Sequence, residues 1–236
     1  MNVNVVFSAD QVTKNDVEGK IIVVIDVLRA TSVMITAMKN GAKEIRPFRE
    51  VDELLSYTKD MKNILKCGER RGIKIKGFDL GNSPLEYKRE IVNGKTICMT
   101  TSNGTNALVK SSSGKKILIG SFLNLDSLCQ KINEIDQDTV IVCAGTDGKF
   151  SLDDSLCAGE IIKRLNYKTL SDSARAMYMI ASIPETIENK LRKSSHYSFL
   201  IKIGETEDLK PCLSTNSKNI VLEYSNGTIK HYDEKF

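Results

Sequence analysis

Five consecutive apolar residues, Ile21-Ile-Val-Val-Ile25, run directly into Asp26-Val-Leu-Arg29-Ala-Thr31-Ser32. A run that is nearly all β-branched and lacks polar alternation reads as a strand buried on both faces, as in a parallel sheet covered by helices. It stops in a carboxylate, a guanidinium and two hydroxyls. A carboxylate there must be hydrated, paired or bound to a cation, because an unpaired buried charge is costly. Ligands of open α/β sheets sit beyond the carboxyl ends of the strands, so this strand end is a candidate site. Taken alone, the segment allows a second reading equally well, in which Asp26 and Arg29 form a local structural ion pair.

Strand-like apolar runs recur at residues 3–7, 21–25, 44–46, 64–67, 96–99, 116–119 and 139–143, with helical patterns at 31–39, 51–59, 105–110 and 125–132. Such alternation predicts βαβ units, hence a three-layer α/β/α arrangement around a mostly parallel sheet. From Leu152 to Cys212 the chain turns to successive helices, and Ser151 with Asp154 has the spacing of a capping box opening the first of them. Asn226-Gly227 between two strand-like runs is a two-residue hairpin signal, giving a terminal β-hairpin. We read the 236 residues as one compact α/β unit. The look-alike layouts around Asp26 and Thr100 hint at two related subdomains, around residues 1–120 and 121–236.

The chain is long enough to bury an ample core, and its 41% apolar and 27% charged composition is ordinary for a globular protein. A net charge of +4, with acids and bases interspersed, gives no basic stripe and weighs against nucleic acid as the main partner. No apolar run approaches membrane-spanning length, and the amino terminus lacks the pattern of a signal peptide. The six cysteines contain no C-x-x-C pair and read as reduced packing residues, which predicts a cytoplasmic location. A homo-oligomer is compatible with the sequence, the hairpin being a candidate edge for it.

Two further strand ends carry chemistry. In Thr100-Thr101-Ser102-Asn103-Gly104-Thr105 five of six residues are Ser, Thr or Asn, whereas one helix cap needs only one. That excess favours an oxyanion cradle of hydroxyls and free backbone N–H groups. After the run ending at Cys143, a glycine-bearing loop leads to Asp153 and Asp154 in a first helical turn. Acids there complement the helix dipole, and they equally suit Mg²⁺, which takes one or two carboxylates and keeps several waters. Between these lies the glycine- and charge-rich stretch from Cys67 to Tyr87, which reads as a structured loop with Phe78 as its plug and Ser83-Pro84 as a helix start.

Several phosphoryl-transfer signatures are absent. G-x-x-x-x-G-K-[ST] does not occur, and neither Cys98 nor Cys143 has an arginine six residues on. His196 and His231 lie far along the chain from the clusters, which speaks against a histidine phosphoenzyme. Leu28 stands where a haloacid-dehalogenase-type phosphatase carries its second aspartate.

Taken together, Val24-Ile-Asp-Val-Leu-Arg-Ala-Thr-Ser32, Gly68-Glu-Arg70, Gly77-Phe-Asp-Leu-Gly-Asn-Ser-Pro84, Thr100-Thr-Ser-Asn-Gly-Thr105 and the stretch from Cys143 to Asp154 resemble the 2-phosphosulfolactate phosphatase family in order and spacing. The resemblance implies an α/β/α fold with two intertwined similar subdomains. It also implies a Mg²⁺-dependent phosphatase converting 2-phospho-3-sulfolactate to 3-sulfolactate in coenzyme M biosynthesis. The chain departs from the family at Tyr197-Ser198-Phe199 and beyond Cys212.

On that resemblance Asp26, Glu69 and Asp154 are the expected metal ligands, with Asp26 either ligand or nucleophile and Asp26, Arg29 and Asp154 the catalytic set. Arg29, Thr31, Ser32, Arg70, Asn82, Ser83, Thr100, Thr101, Ser102, Asn103, Gly104 and Thr105 are the expected contacts of a small phosphorylated and sulfonated substrate. Arginine suits such groups because its planar fork matches three-oxygen anions. Alternatives are a phosphatase for another 2-hydroxy-acid phosphate and a non-catalytic binder of anionic metabolites.

Overall fold

The computed structural model describes residues 1–233. The strands are β1 (Asn2–Val6), β2 (Ile21–Ile25), β3 (Glu44–Pro47), β4 (Ile64–Arg70), β5 (Ile73–Lys74), β6 (Thr96–Thr100), β7 (Lys116–Gly120), β8 (Thr139–Cys143), β9 (Thr169–Leu170), β10 (Leu222–Ser225) and β11 (Thr228–His231). The helices of seven or more residues are α1 (Ala30–Lys39), α2 (Val51–Thr58), α3 (Gly104–Lys110), α4 (Leu125–Ile135), α5 (Leu152–Ile162), α6 (Asp172–Ala181) and α7 (Ser195–Lys202). The strands join in one sheet of order β5-β4-β6-β3-β11-β10-β7-β2-β8-β1-β9. Most neighbours are parallel, and helices cover the sheet, as the alternating pattern predicts.

β2 shows why its sequence is uninterrupted. All five residues are fully buried, but they face two cores. Ile22 and Val24 pack with α1 and α3, while Ile21, Val23 and Ile25 pack with α4, α5 and α6. Alternate strand residues point to opposite faces, so a strand covered on both sides has no polar position to spare.

The terminal hairpin forms where Asn226-Gly227 predicts, with both turn residues in the left-handed region (φ 49° and 74°). It is not an edge. β11 pairs with β3 and β10 with β7, so the hairpin sits inside the sheet and joins the parallel block β4-β6-β3 to the parallel block β7-β2-β8-β1-β9. A local turn signal identifies two strands but says nothing of their outer neighbours, which lie about a hundred residues or more away. Beneath this junction runs α1, buried from Ala30 to Met38 and sharing one core with Ile45, Ile117, Leu222 and Ile229.

Two local expectations are also corrected. Ser151 precedes α5 without a side-chain cap, because its hydroxyl donates to Asp153 and the Asp154 carboxylate is engaged elsewhere. The stretch after Cys67 is partly regular, since β4 continues to Arg70 and turns through Arg71-Gly72 into β5. Phe78 is a plug as expected, packed with Phe48, Leu54 and Cys98, and Ser83 caps the short helix from Pro84 by accepting from the Leu85 N–H.

Ile229 is fully buried at the junction and stands opposite Ile45. Ile229→Ala is expected to cost about 2–4 kcal/mol, the range for truncating a core isoleucine. Urea denaturation reads this directly, and a cost under about 1 kcal/mol would be incompatible with an interior hairpin.

Candidate active site

A cavity of about 520 Å³ opens beyond the strand ends, with Asp26, Arg29, Glu69, Arg71, Asn82, Ser102, Asn103, Thr146, Asp147 and His196 among its lining residues. The segment after β2 is held from several directions. Thr31 Oγ1 donates to the Asp26 carbonyl (2.9 Å) and accepts from the Asp26 N–H, while Ser32 Oγ donates to the Val27 carbonyl (2.8 Å). Both hydroxyls are fully buried, so Thr31 and Ser32 shape the strand end without reaching the cavity. The Val27 N–H donates to Asp154 Oδ1 (2.9 Å), and Asp154 Oδ2 accepts from the Gly145 N–H (3.1 Å). One buried carboxylate therefore ties the end of β2 to the end of β8.

Asp26 itself uses Oδ1 to accept from the Ala30 N–H (3.1 Å) at the start of α1. Its Oδ2 has no hydrogen-bond partner among the described residues, and it lies against Gly104, where an added Cβ would come within 2.8 Å. Glycine is required there for close approach, not for its φ. Burial pushes the Asp26 carboxyl up to about 6, against the opposing pull of nearby His196 and the Ala30 N–H. Burial, with Asp153 and Asp26 nearby, pushes Asp154 well above the usual carboxylate range.

The cluster at 100–105 divides. Thr100, Thr101 and Thr105 are buried. Thr101 and Thr105 hydrogen-bond each other's backbone N–H, and Thr100 donates to the Arg49 carbonyl (3.1 Å). Ser102 and Asn103 face the cavity. An anion does sit against this turn, and the chain supplies it. Glu69 accepts from the Ser102 N–H and the Gly72 N–H (both 2.7 Å) and from Ser102 Oγ (3.2 Å).

Arg29 does not pair with Asp26. Its Nη1 meets Asp208 (2.5 Å) and Glu205 (3.1 Å), and its Nη2 donates to the Gly72 carbonyl (2.9 Å). Ser83 Oγ donates to the other oxygen of Asp208 (2.5 Å). Arg70 is spent on the Glu69 and Arg49 carbonyls and Thr100 Oγ1. Asn82 reaches the cavity, and its buried Oδ1 is unpartnered.

Sequence distance misplaces His196. α7 folds back over the strand ends and brings the imidazole into the cavity, where Nδ1 lies 3.2 Å from Thr146 Oγ1 and 3.8 Å from Asp153 Oδ2. That Asp153 oxygen is buried and has no hydrogen-bond partner. Arg71, Thr146, Asp147 and Phe199 are likewise cavity residues that sequence patterns did not single out. Among the described residues no group of three His, Cys, Asp or Glu side chains converges as a ready-made metal site. All six cysteines are free and buried, with Cys98 and Cys129 pushed up to about 11 and about 12 by burial, so no thiolate is offered. No described helix is long and apolar enough to cross a membrane.

Residues 6–227 match the model of a family described as 2-phosphosulpholactate phosphatase. A Clostridium beijerinckii protein named probable 2-phosphosulfolactate phosphatase is 43% identical over 235 residues, covering 97% of this chain and 99% of that one. Proteins of the same name from Clostridium perfringens (strain SM101) and Clostridium acetobutylicum are 42% and 41% identical, covering 98% and 97% of this chain and 96% and 100% of their own. The family model and the relatives give the class, a phosphoric monoester hydrolase, here built on an α/β/α sheet. The chain belongs to the 2-phosphosulpholactate phosphatase family.

The raised Asp26 pKa has a stability consequence. A carboxyl whose folded value exceeds its unfolded one favours folding in its protonated form, and that contribution is lost as pH rises from about 4 through about 6. Asp26→Asn keeps an acceptor for Ala30 and removes the buried charge. In chelator-treated buffer at pH 7.5 it is expected to be more stable than the parent by on the order of 1–3 kcal/mol, with the difference shrinking towards pH 4. Urea midpoints across that range check the sign.

Proposed function

We propose that the chain hydrolyses 2-phospho-3-sulfolactate to 3-sulfolactate and phosphate with the help of Mg²⁺. The observation that carries the reading is Asp26, a nearly buried carboxylate on the cavity wall with one oxygen unbonded, within the residues 6–227 that match the family model. A binder of anions gains nothing from such an acid unless a cation accompanies it.

The donor set fits a hard divalent ion. Of the three carboxylates expected as ligands, Asp26 has the open oxygen, while Glu69 and Asp154 already accept from backbone N–H groups. The unpartnered Asp153 oxygen adds a second acceptor beside them. One or two carboxylates suffice for Mg²⁺, whose remaining positions go to water and substrate phosphate. When bound, the ion would polarise the phosphoryl group and offset the acids around it.

The protein's own groups then have separate tasks. Asp26 engages the phosphoryl end. Asp154 fixes the strand ends that carry Asp26 and Gly145, and Glu69 fixes the turns bearing Ser102 and Gly72. His196, held beside Thr146 and near Asp26, is placed to hydrogen-bond the substrate. Arg29 braces the wall by holding the Gly72 carbonyl to Asp208.

Phosphate release from racemic 2-phosphosulfolactate is expected with Mg²⁺ and not with chelator. Asp26→Asn should lower kcat/KM by on the order of a thousandfold or more while the fold is kept. Equal kcat/KM on 2-phospholactate would move the substrate to another 2-hydroxy-acid phosphate, and absence of turnover on either would leave a binding protein.

A further inference from the structure

The substrate proposed above carries anionic groups besides its phosphate, and the cavity has two arginines to meet them. Arg29 is committed to Asp208, Glu205 and the Gly72 carbonyl. Arg71 is not. Among the described residues its guanidinium has no ion pair and no hydrogen bond, although its backbone is firmly held.

The hold comes from the β4–β5 hairpin, in which Arg70 pairs with Ile73 and Arg71-Gly72 forms the two-residue turn. Both turn residues lie in the left-handed region, at φ 53° and 76°, as type I′ hairpin turns require. That geometry favours Asn or Asp at the first position, and a long unbranched side chain there works against the local preference. The turn is nevertheless clamped. The Gly72 N–H donates to Glu69, the Gly72 carbonyl accepts from Arg29, and the Arg71 N–H donates to Ser102 Oγ (3.3 Å). On the remaining side Phe199 and Ile203 pack so closely that a Cβ on Gly72 would come within 3.0 Å and 2.7 Å of them. A disfavoured residue at the tip of an immobilised turn, with an unspent cation at the cavity, is what a recognition residue looks like.

We propose that Arg71 is the specificity-determining residue that pairs with an oxyanion of the substrate other than its phosphate. The inference rests on the function proposed above. A guanidinium suits this task because it stays charged, is weakly hydrated and can present two parallel donors to a sulfonate or carboxylate. The phosphoryl end, by contrast, belongs to the Asp26 wall.

Arg71→Asn separates the two roles of the position, since Asn is the better residue for the turn and folding is not put at risk. With Mg²⁺ present, calorimetric titration of 3-sulfolactate and of inorganic phosphate into parent and variant gives the readout. The variant is expected to melt no lower than the parent, to bind 3-sulfolactate about tenfold more weakly and to bind phosphate within about twofold of the parent. Arg71→Lys should recover part of the loss. KM for 2-phospholactate, which keeps the carboxylate and lacks the sulfonate, then assigns the contact: unchanged in Arg71→Asn for the sulfonate, raised for the carboxylate. Unaltered 3-sulfolactate binding in Arg71→Asn, or an equal loss for phosphate, overturns the proposal. A parent protein that fails to release phosphate from 2-phosphosulfolactate overturns the functional reading instead, and this one with it.

Discussion

The site depends on one buried carboxylate that never reaches the cavity. Asp154 accepts the Val27 N–H with one oxygen and the Gly145 N–H with the other, so two loops leaving adjacent parallel strands are pinned to the first turn of α5. Without that bridge, the peptide groups just past β2 and β8 would be buried donors with nothing to meet. The cost is chiefly burial, which pushes the Asp154 carboxyl up, with the neighbouring Asp153 and Asp26 adding to it.

Glu69 performs the same office on the other wall. The donors of a helix-start turn and of a hairpin turn converge on its carboxylate, and the cavity wall is continuous because both turns share that one anion. The two walls are thus organised by acids whose oxygens are taken up by backbone N–H groups, whereas Asp26 keeps one oxygen unbonded at the cavity.

What could be read from the sequence follows from how local each signal is. β2 and β8 are legible to the residue, since strands covered on both faces show as uninterrupted, largely β-branched runs that give way to polar residues and glycine just beyond Ile25 and Cys143. Asp26 is legible as a site for the same reason. The threonines at 100, 101 and 105 looked like ligand donors because hydroxyl-rich turns bind anions, yet composition cannot say which hydroxyls are consumed by the turn itself. His196 and Arg71 carry no pattern. One reaches the cavity through the path of a distant helix and the other through a two-residue turn hidden in a charged stretch. The partners of the terminal hairpin were equally invisible, because pairing beyond the turn is a tertiary choice.

That hairpin governs when the molecule can come into being. Ile45 and Ile229 are neighbours in the sheet although 184 positions separate them in the chain. Until residues 222–231 have left the ribosome, β3 and β7 each present a bare edge and the core under α1 lacks its floor. Contacts of such sequence separation are slow to close, and unpaired edges invite association with other chains. The nascent protein is therefore vulnerable until residues 222–231 emerge, and the two parallel blocks acquire a common sheet only once that hairpin is made.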